Sequence, residues 1–312
     1  MFRPRRLLAV ATAALTLTAA AACGAQPADQ AAPQPGDRVV EHAMGQTTIK
    51  GEPRRVVVLD TGELDASLAL GVRPVGVVQP DAGGSVPPYL AQQAGKPEIV
   101  GTIGSPNLER IAALKPDLIL SSKVRDGERY DQLSAIAPTV FAETTGKTWQ
   151  QNFLLDAEAL GKPAEAQRIL GEYRQRAAAI GAQAGDPGRT RVSMLRFVPG
   201  DIRLYGKGSF IGSILADAGF ARPQNQQADT TFTRVSREQV GQADGDLLFY
   251  AAYGDNARGQ MNDVIGSAQW PALGAVRAGN AVEVPDGTWF LGLGPIAANL
   301  VLDDLQRQVA RR

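Results

Sequence analysis

A chain of 312 residues with 32 basic and 32 acidic side chains carries no net charge, which excludes the basic footprint of a nucleic-acid-binding protein. Its single cysteine, Cys23, excludes an internal disulfide framework, so a packed core must hold the fold. Its single histidine, His42, excludes a zinc centre built on several histidines.

The first segment reads as an export signal. Arg3, Arg5 and Arg6 precede an apolar stretch, Leu7 to Ala22, too short to span a bilayer as a mature helix. Ala20-Ala21-Ala22 directly before Cys23 resembles a bacterial lipoprotein signal. That resemblance implies removal of residues 1–22, lipidation of Cys23, and a protein held at the extracytoplasmic face of the cell membrane. Arg5-Arg6 leaves the export route, Sec or twin-arginine, open. Loss of three arginines leaves 29 basic against 32 acidic residues, a net charge near −3. Residues 23–37, rich in Ala, Gln, Pro and Gly, form a flexible tether.

From Arg38 the pattern becomes regular. Arg38 to Lys50 predicts a short strand or hairpin. Val56 to Leu59 predicts a buried strand, Glu63 to Leu70 a helix stopped by Gly71, and Val75 to Val78 the next strand. Glu98 to Val100 and Leu118 to Ser121 continue the series, followed by a helix over Tyr130 to Ile136. Strands alternating with helices predict a parallel α/β lobe over residues 38–145. Trp149 to Leu160 predicts a helix ending at Gly161, and Pro163 opens a longer one reaching about Ala184. Ile169, Leu170, Tyr173, Ala177 and Ile180 give that helix one apolar face, and residues 146–188 form a helical connector. A second α/β lobe over 189–312 begins at Arg191 to Leu195. It continues with a helix over Phe210 to Ala218 and a late strand over Val282 to Val284, and closes with a helix over Pro295 to Val309.

One segment occurs twice, 129 positions apart. Asn107-Leu108-Glu109-Arg110-Ile111 followed by Asp117-Leu118 falls on Ser236-Arg237-Glu238-Gln239-Val240 followed by Asp246-Leu247. Each copy predicts a short capped helix, a turn and a buried strand. A glutamate in a first helical turn complements the helix dipole wherever it occurs. Its recurrence at the same place in two lobes points to a paired function for Glu109 and Glu238.

Common catalytic patterns are missing. Gly206-Lys207-Gly208 departs from the phosphate loop because Gly208 stands where Ser or Thr must bind magnesium. Gly292-Leu293-Gly294 lacks the third glycine of a dinucleotide site and reads as a turn. A Gly-x-Ser-x-Gly nucleophile elbow is also absent. No catalytic residue, resident cofactor or protein-held metal is expected.

The chain from about Glu52 to Val309 resembles the substrate-binding lipoproteins of ABC importers, in the iron-siderophore and cobalamin class. The residues carrying the resemblance are Pro53 to Val57, Glu63 to Ala66, both copies of the repeat, and Ala135-Ile136-Ala137-Pro138-Thr139-Val140. It implies two α/β lobes with mainly parallel sheets, one long bridging helix, a ligand cleft between the lobes, and little hinge motion. It also implies that Glu109 and Glu238 dock the binder onto arginines of a membrane permease, behind which sits an ATPase. The protein is then expected to be a monomer, with no nucleic-acid partner.

In open α/β sheets ligands bind beyond the carboxyl ends of the strands. Those loops carry Arg125, Arg196, Tyr253 and Trp289, with Tyr89, Trp149, Arg203 and Tyr205 nearby. Arginine donors and aromatic rings suit an anionic, oxygen-rich complex such as a ferric siderophore, whose iron already has its own ligands. An ordinary salt bridge or core contact is the competing reading for each. Cobalamin or haem stays open as the ligand, the siderophore's chemical class is unassigned, and a lipid-anchored sensor or scaffold is the competing role. A surface hydrolase is the poorest reading, because a nucleophile would have only His42 as a histidine base.

Overall fold

The computed structural model describes residues 36–80 and 85–311. The expected signal, Cys23 and nearly all of the tether lie outside them. The described chain starts with an antiparallel hairpin, β1 (Arg38–His42) and β2 (Gly45–Ile49). The first sheet follows with β3 (Val56–Val58), β4 (Gly76–Gln79), β5 (Glu98–Thr102), β6 (Ser105–Pro106), β7 (Leu118–Ser122) and β8 (Thr139–Ala142). Its order is β6-β5-β4-β3-β7-β8, parallel throughout except for β6 at the edge. Val56, Val57 and Val58 are all fully buried, as a central parallel strand covered on both faces requires.

The second sheet contains β9 (Val192–Val198), β10 (Asp201–Tyr205), β11 (Phe232–Val235), β12 (Leu247–Ala252) and β13 (Ala281–Glu283). Its order is β11-β10-β9-β12-β13. β9, β12 and β13 run parallel, whereas β9-β10-β11 is an antiparallel meander. The meander is the main departure from the sequence reading, which ends the strand near Leu195 and assigns none to Asp201–Tyr205 or Phe232–Val235. Pro199-Gly200 makes the tight turn that folds β10 back on β9.

The connecting helix spans Pro163–Gln183, with proline at its first turn. Its 21 residues extend about 32 Å at 1.5 Å each. Leu170, Tyr173, Ala177 and Ile180 form the buried stripe, with Ala166 and Gly181 added to it, while Ile169 is only half-buried. Gly181 has a steric reason: a Cβ there would lie 2.1 Å from the Ala218 carbonyl oxygen, at the end of helix Phe210–Asp217.

The closing helix, Pro295–Val309, packs against the long helix and against helix Thr61–Ala69 of the N-terminal half. It has no local side-chain cap. Asp65 supplies one across the molecule, accepting from the Ile296 and Ala297 amides at 2.8 and 3.0 Å. Gly294 makes room for this contact, since a Cβ there would come within 2.5 Å of the Asp65 carboxyl. The final segment of the chain therefore packs across onto the first half.

The two repeat copies both place a capped short helix ahead of a buried strand, though the helices differ in type. Asn107 caps helix Leu108–Ala113 by accepting from the Arg110 amide at 2.9 Å. Ser236 and Gln239 form a capping box on Arg237–Ala243, which is a 3-10 helix rather than an α-helix. The repeated aspartates latch the start of the neighbouring strand. Asp117 accepts from the Arg54 and Arg55 amides at 2.8 Å each, ahead of β3, and Asp246 accepts from the Arg191 amide at 2.7 Å, ahead of β9.

Candidate functional site

A cleft of about 390 Å³ lies between the carboxyl ends of the two sheets' parallel strands. Asp60, Thr61, Arg125, Thr145 and Gly146 line it from the first half, and Arg196, Arg203, Tyr205, Phe232 and Phe290 from the second. This is where strand topology puts a ligand site in an open α/β sheet.

The second wall is built on a row of three arginines. Arg196 on β9 pairs in register with Arg203 on β10, which pairs with Arg234 on β11. In-register neighbours project from the same face of a sheet, so the three guanidiniums lie side by side. Two aspartates hold them. Asp286 receives both Nε and Nη2 of Arg196, at 2.5 and 2.6 Å. Asp201 Oδ2 is shared between Arg203 Nε at 2.8 Å and Arg234 Nε at 2.9 Å. Burial would raise the Asp201 carboxyl, but the two arginines outweigh it and hold it below the usual carboxylate range.

Aromatic rings pack among these charges. Phe232 lies under Arg203 at 4.2 Å and under Arg234 at 5.3 Å. Tyr253 and Phe290 flank Arg196 at 5.0 and 5.5 Å, and Arg196 Nη1 donates to the Tyr205 hydroxyl at 3.0 Å. From the first half, Arg125 donates to Asp60 at 2.7 Å and keeps about a third of its side chain exposed.

Below the cleft, Glu63 and Asp156 face a small cavity between helices Thr61–Ala69 and Trp149–Leu160. Burial pushes both carboxyls up, and repulsion from Asp60 and Asp156 pushes Glu63 further. Glu63 Oε2 has no hydrogen-bond partner among the described residues. Among the described residues, no three His, Cys, Asp or Glu side chains converge to hold a metal ion.

The cleft gathers some of the residues expected from the sequence and leaves out others. Arg125, Arg196, Arg203 and Tyr205 line it, and Tyr253 stacks behind Arg196. Trp149 lies outside the cleft lining: it is fully buried, donates to Ser213 Oγ at 3.0 Å, and packs edge-on against Tyr173 and Phe210. Trp289 borders the cleft with a buried ring that is 0% exposed, lies 4.4 Å from that of Phe249, and donates to Asp304 at 2.7 Å. Tyr89 donates to Asp65 at 3.1 Å and borders a different hollow beside the closing helix. Glu109 and Glu238 are both exposed in the first turns of the two repeated helices. Hydrogen bonds from Ser236 and from its own backbone amide hold the Glu238 carboxyl below the usual range.

Sequence reading misses Phe232, Phe290 and Arg234. The alternation over Phe232-Thr233-Arg234-Val235 is the available signal, but the flanking Thr and Gln run obscures it.

The fold and the cleft define a two-sheet binding protein, and comparison gives the family. Residues 56–288 match the family described as "Periplasmic binding protein", and the chain belongs to it. A Bacillus subtilis protein named probable siderophore-binding lipoprotein YfiY is 41% identical over 281 residues, covering 86% of each chain. The Fe(3+)-citrate-binding protein YfmC of the same organism is 29% identical, covering 87% of this chain and 86% of its own. The crystal structure of Staphylococcus aureus SirA complexed with staphyloferrin B superposes with a TM-score of 0.79 at 33% identity, covering 88% of this chain and 98% of that one. The relatives are thus binding proteins by name, and among the described residues no helix is long and apolar enough to cross a membrane.

Proposed function

We propose that this protein captures a ferric siderophore in the cleft between its two sheets and delivers it to the permease of an ABC importer. The observation that carries this reading is the row Arg196-Arg203-Arg234, set among aromatic rings and opposed by Arg125 from the other half. Guanidiniums offer paired donors to carboxylate and hydroxamate oxygens, and rings cover the ligand's apolar edges. The siderophore supplies the iron's ligands, so the protein needs only to recognise the outside of the complex. The names of the relatives favour this cargo over cobalamin or haem.

The remaining roles follow from the same reading. Lipidated Cys23 anchors the protein on the extracytoplasmic face of the membrane, where it works as a monomeric binder and not as an enzyme. Glu109 and Glu238, one on each half, meet arginines on the permease and orient the binder over the translocation path. An ATPase behind the permease drives transport. Two separated carboxylates fix orientation and docking rate more than they add affinity.

Titration of residues 37–312 with ferric citrate, ferric hydroxamate and ferric catecholate complexes, and with haem and cobalamin, followed by intrinsic fluorescence, tests the cargo. Saturable binding of one ferric class supports the reading. Binding of haem or cobalamin alone changes the cargo. A folded protein that binds nothing in the panel favours the sensor or scaffold role.

A further inference from the structure

One arginine stands behind the cleft with no carboxylate among the described residues to balance it. Arg222 is 5% exposed. Its Nη2 donates to the Tyr205 carbonyl and to Gln226 Oε1, both at 2.6 Å, and its Nη1 lies 3.8 Å from Met194 Sδ. Its Nε has no hydrogen-bond partner among the described residues. Burial alone pushes the guanidinium down, to about 9, which leaves it charged at neutral pH.

An isolated buried cation is costly, and an apolar side chain would normally pack more stably in its place. Gln226 does nothing to neutralise it. That amide is also buried, accepting from the Met194 amide at 3.0 Å and donating to Ser193 Oγ at 2.6 Å. The charge sits one hydrogen bond behind Tyr205, a residue of the cleft wall whose hydroxyl meets Arg196. Fields from buried charges are screened far less than those from exposed ones. The nearby balance is also uneven. Asp60 pairs with Arg125, Asp286 with Arg196, and Asp201 with both Arg203 and Arg234, whereas Arg222 has no such partner among the described residues.

We propose that Arg222 is a specificity-determining residue of the cleft, its unbalanced charge behind Tyr205 selecting ferric complexes of net negative charge over neutral ones. The proposal rests on the siderophore reading above and narrows it to the charge class of the cargo.

The decisive variant is Gln226→Glu. It is nearly isosteric and can keep the bonds to Met194 and Ser193, the serine hydroxyl turning donor, while setting a carboxylate against Arg222. Arg222→Gln removes the charge directly, and Arg222→Lys restores it. Each variant is checked for folding by thermal unfolding, then titrated with ferric citrate as the anionic probe and with a neutral ferric trihydroxamate. The expected result is about tenfold weaker ferric citrate binding in Gln226→Glu and Arg222→Gln, no comparable loss for the neutral complex, and recovery in Arg222→Lys. Equal weakening of both complexes in a folded Gln226→Glu protein would overturn the proposal and leave Arg222 a structural role. A wild-type protein that prefers the neutral complex also overturns it, while leaving the siderophore reading intact. Binding of neither, in a folded protein that also binds no ferric catecholate, removes both.

Discussion

Arg196 and Arg203 face each other directly on neighbouring antiparallel strands, two like charges at a position where sheets usually avoid them. Asp286 and Asp201 make the arrangement tolerable by pairing with one arginine each, at 2.5 and 2.8 Å. The two pairs are not equivalent. Arg196 and Asp286 are both nearly buried, whereas Arg203 is partly open to the cleft and its aspartate has a second partner in Arg234.

That difference separates stability from binding. Arg196→Ala strands Asp286 as an unpaired buried charge and should cost about 3 kcal/mol of stability. Arg203→Ala leaves Asp201 paired with Arg234, so unfolding should change little. Ligand affinity should instead drop roughly ten- to a hundredfold, the loss of one or two charge-assisted hydrogen bonds. Denaturant unfolding and ligand titration of both variants check the contrast.

Glu109→Ala and Glu238→Ala should leave ligand affinity within about twofold of the parent while iron uptake falls sharply, since docking charges act on encounter and orientation. Reversal to lysine should be worse than alanine at either site. Uptake of radio-iron in cells, set beside titration of the purified variants, checks this. A parallel loss of ligand affinity would assign the glutamates to the cleft instead.

The buried pair Glu63 and Asp156 makes stability depend on pH. Burial raises their affinity for protons in the folded state above that in the unfolded chain, so the folded state holds more protons once pH exceeds about 4. Stability is then greatest below the ordinary carboxylate range and declines as pH rises above it, for Asp156 until pH passes about 8. Asp156→Asn should flatten that decline. A tenfold difference in proton affinity between the folded and unfolded chain corresponds to about 1.4 kcal/mol, so the variant should be more stable than the parent by at least about 1 kcal/mol at pH 8, with little gain at pH 4. Thermal unfolding across that range is the measurement.

Asp65 ties the closing helix to the first half through the Ile296 and Ala297 amides, and also accepts from the Tyr89 hydroxyl of its own half. Asp65→Ala should cost about 2–3 kcal/mol, through the lost cap and the amides left unsatisfied. Equilibrium unfolding of Asp65→Ala against the parent checks it.

Much of this architecture is legible in the sequence because it rests on local signals. Helix Pro163–Gln183 announces itself by its proline start and apolar stripe, and β3 by a run of valines. The likeness of the two halves around the repeat is visible in the sequence, although the structure gives Asp117 and Asp246 a clear strand-latching role that the glutamates overshadow. What escapes is non-local. β10 and β11 are short and interrupted by charged or polar residues, and pairing of β10 with β9 and of β11 with β10 makes them strands. Trp149 and Trp289 look like ligand contacts because they lie near the right loops, yet both rings are buried and their indole N–H groups are taken up by Ser213 and Asp304. Burial of a large ring is settled by neighbours distant in sequence, and composition near a loop carries no information about it.

On the proposed reading the cargo's iron sits between the two sheets, in the cleft bounded by Arg125 on one side and Arg203 on the other. The most direct measurement is an anomalous difference map, at the iron edge, from crystals grown with whichever ferric complex binds in titration. A single strong iron peak inside that cleft, with the ligand's oxygens against the arginine row, is the predicted result. An iron peak elsewhere on the molecule, with the cleft empty of ligand density, would contradict this placement.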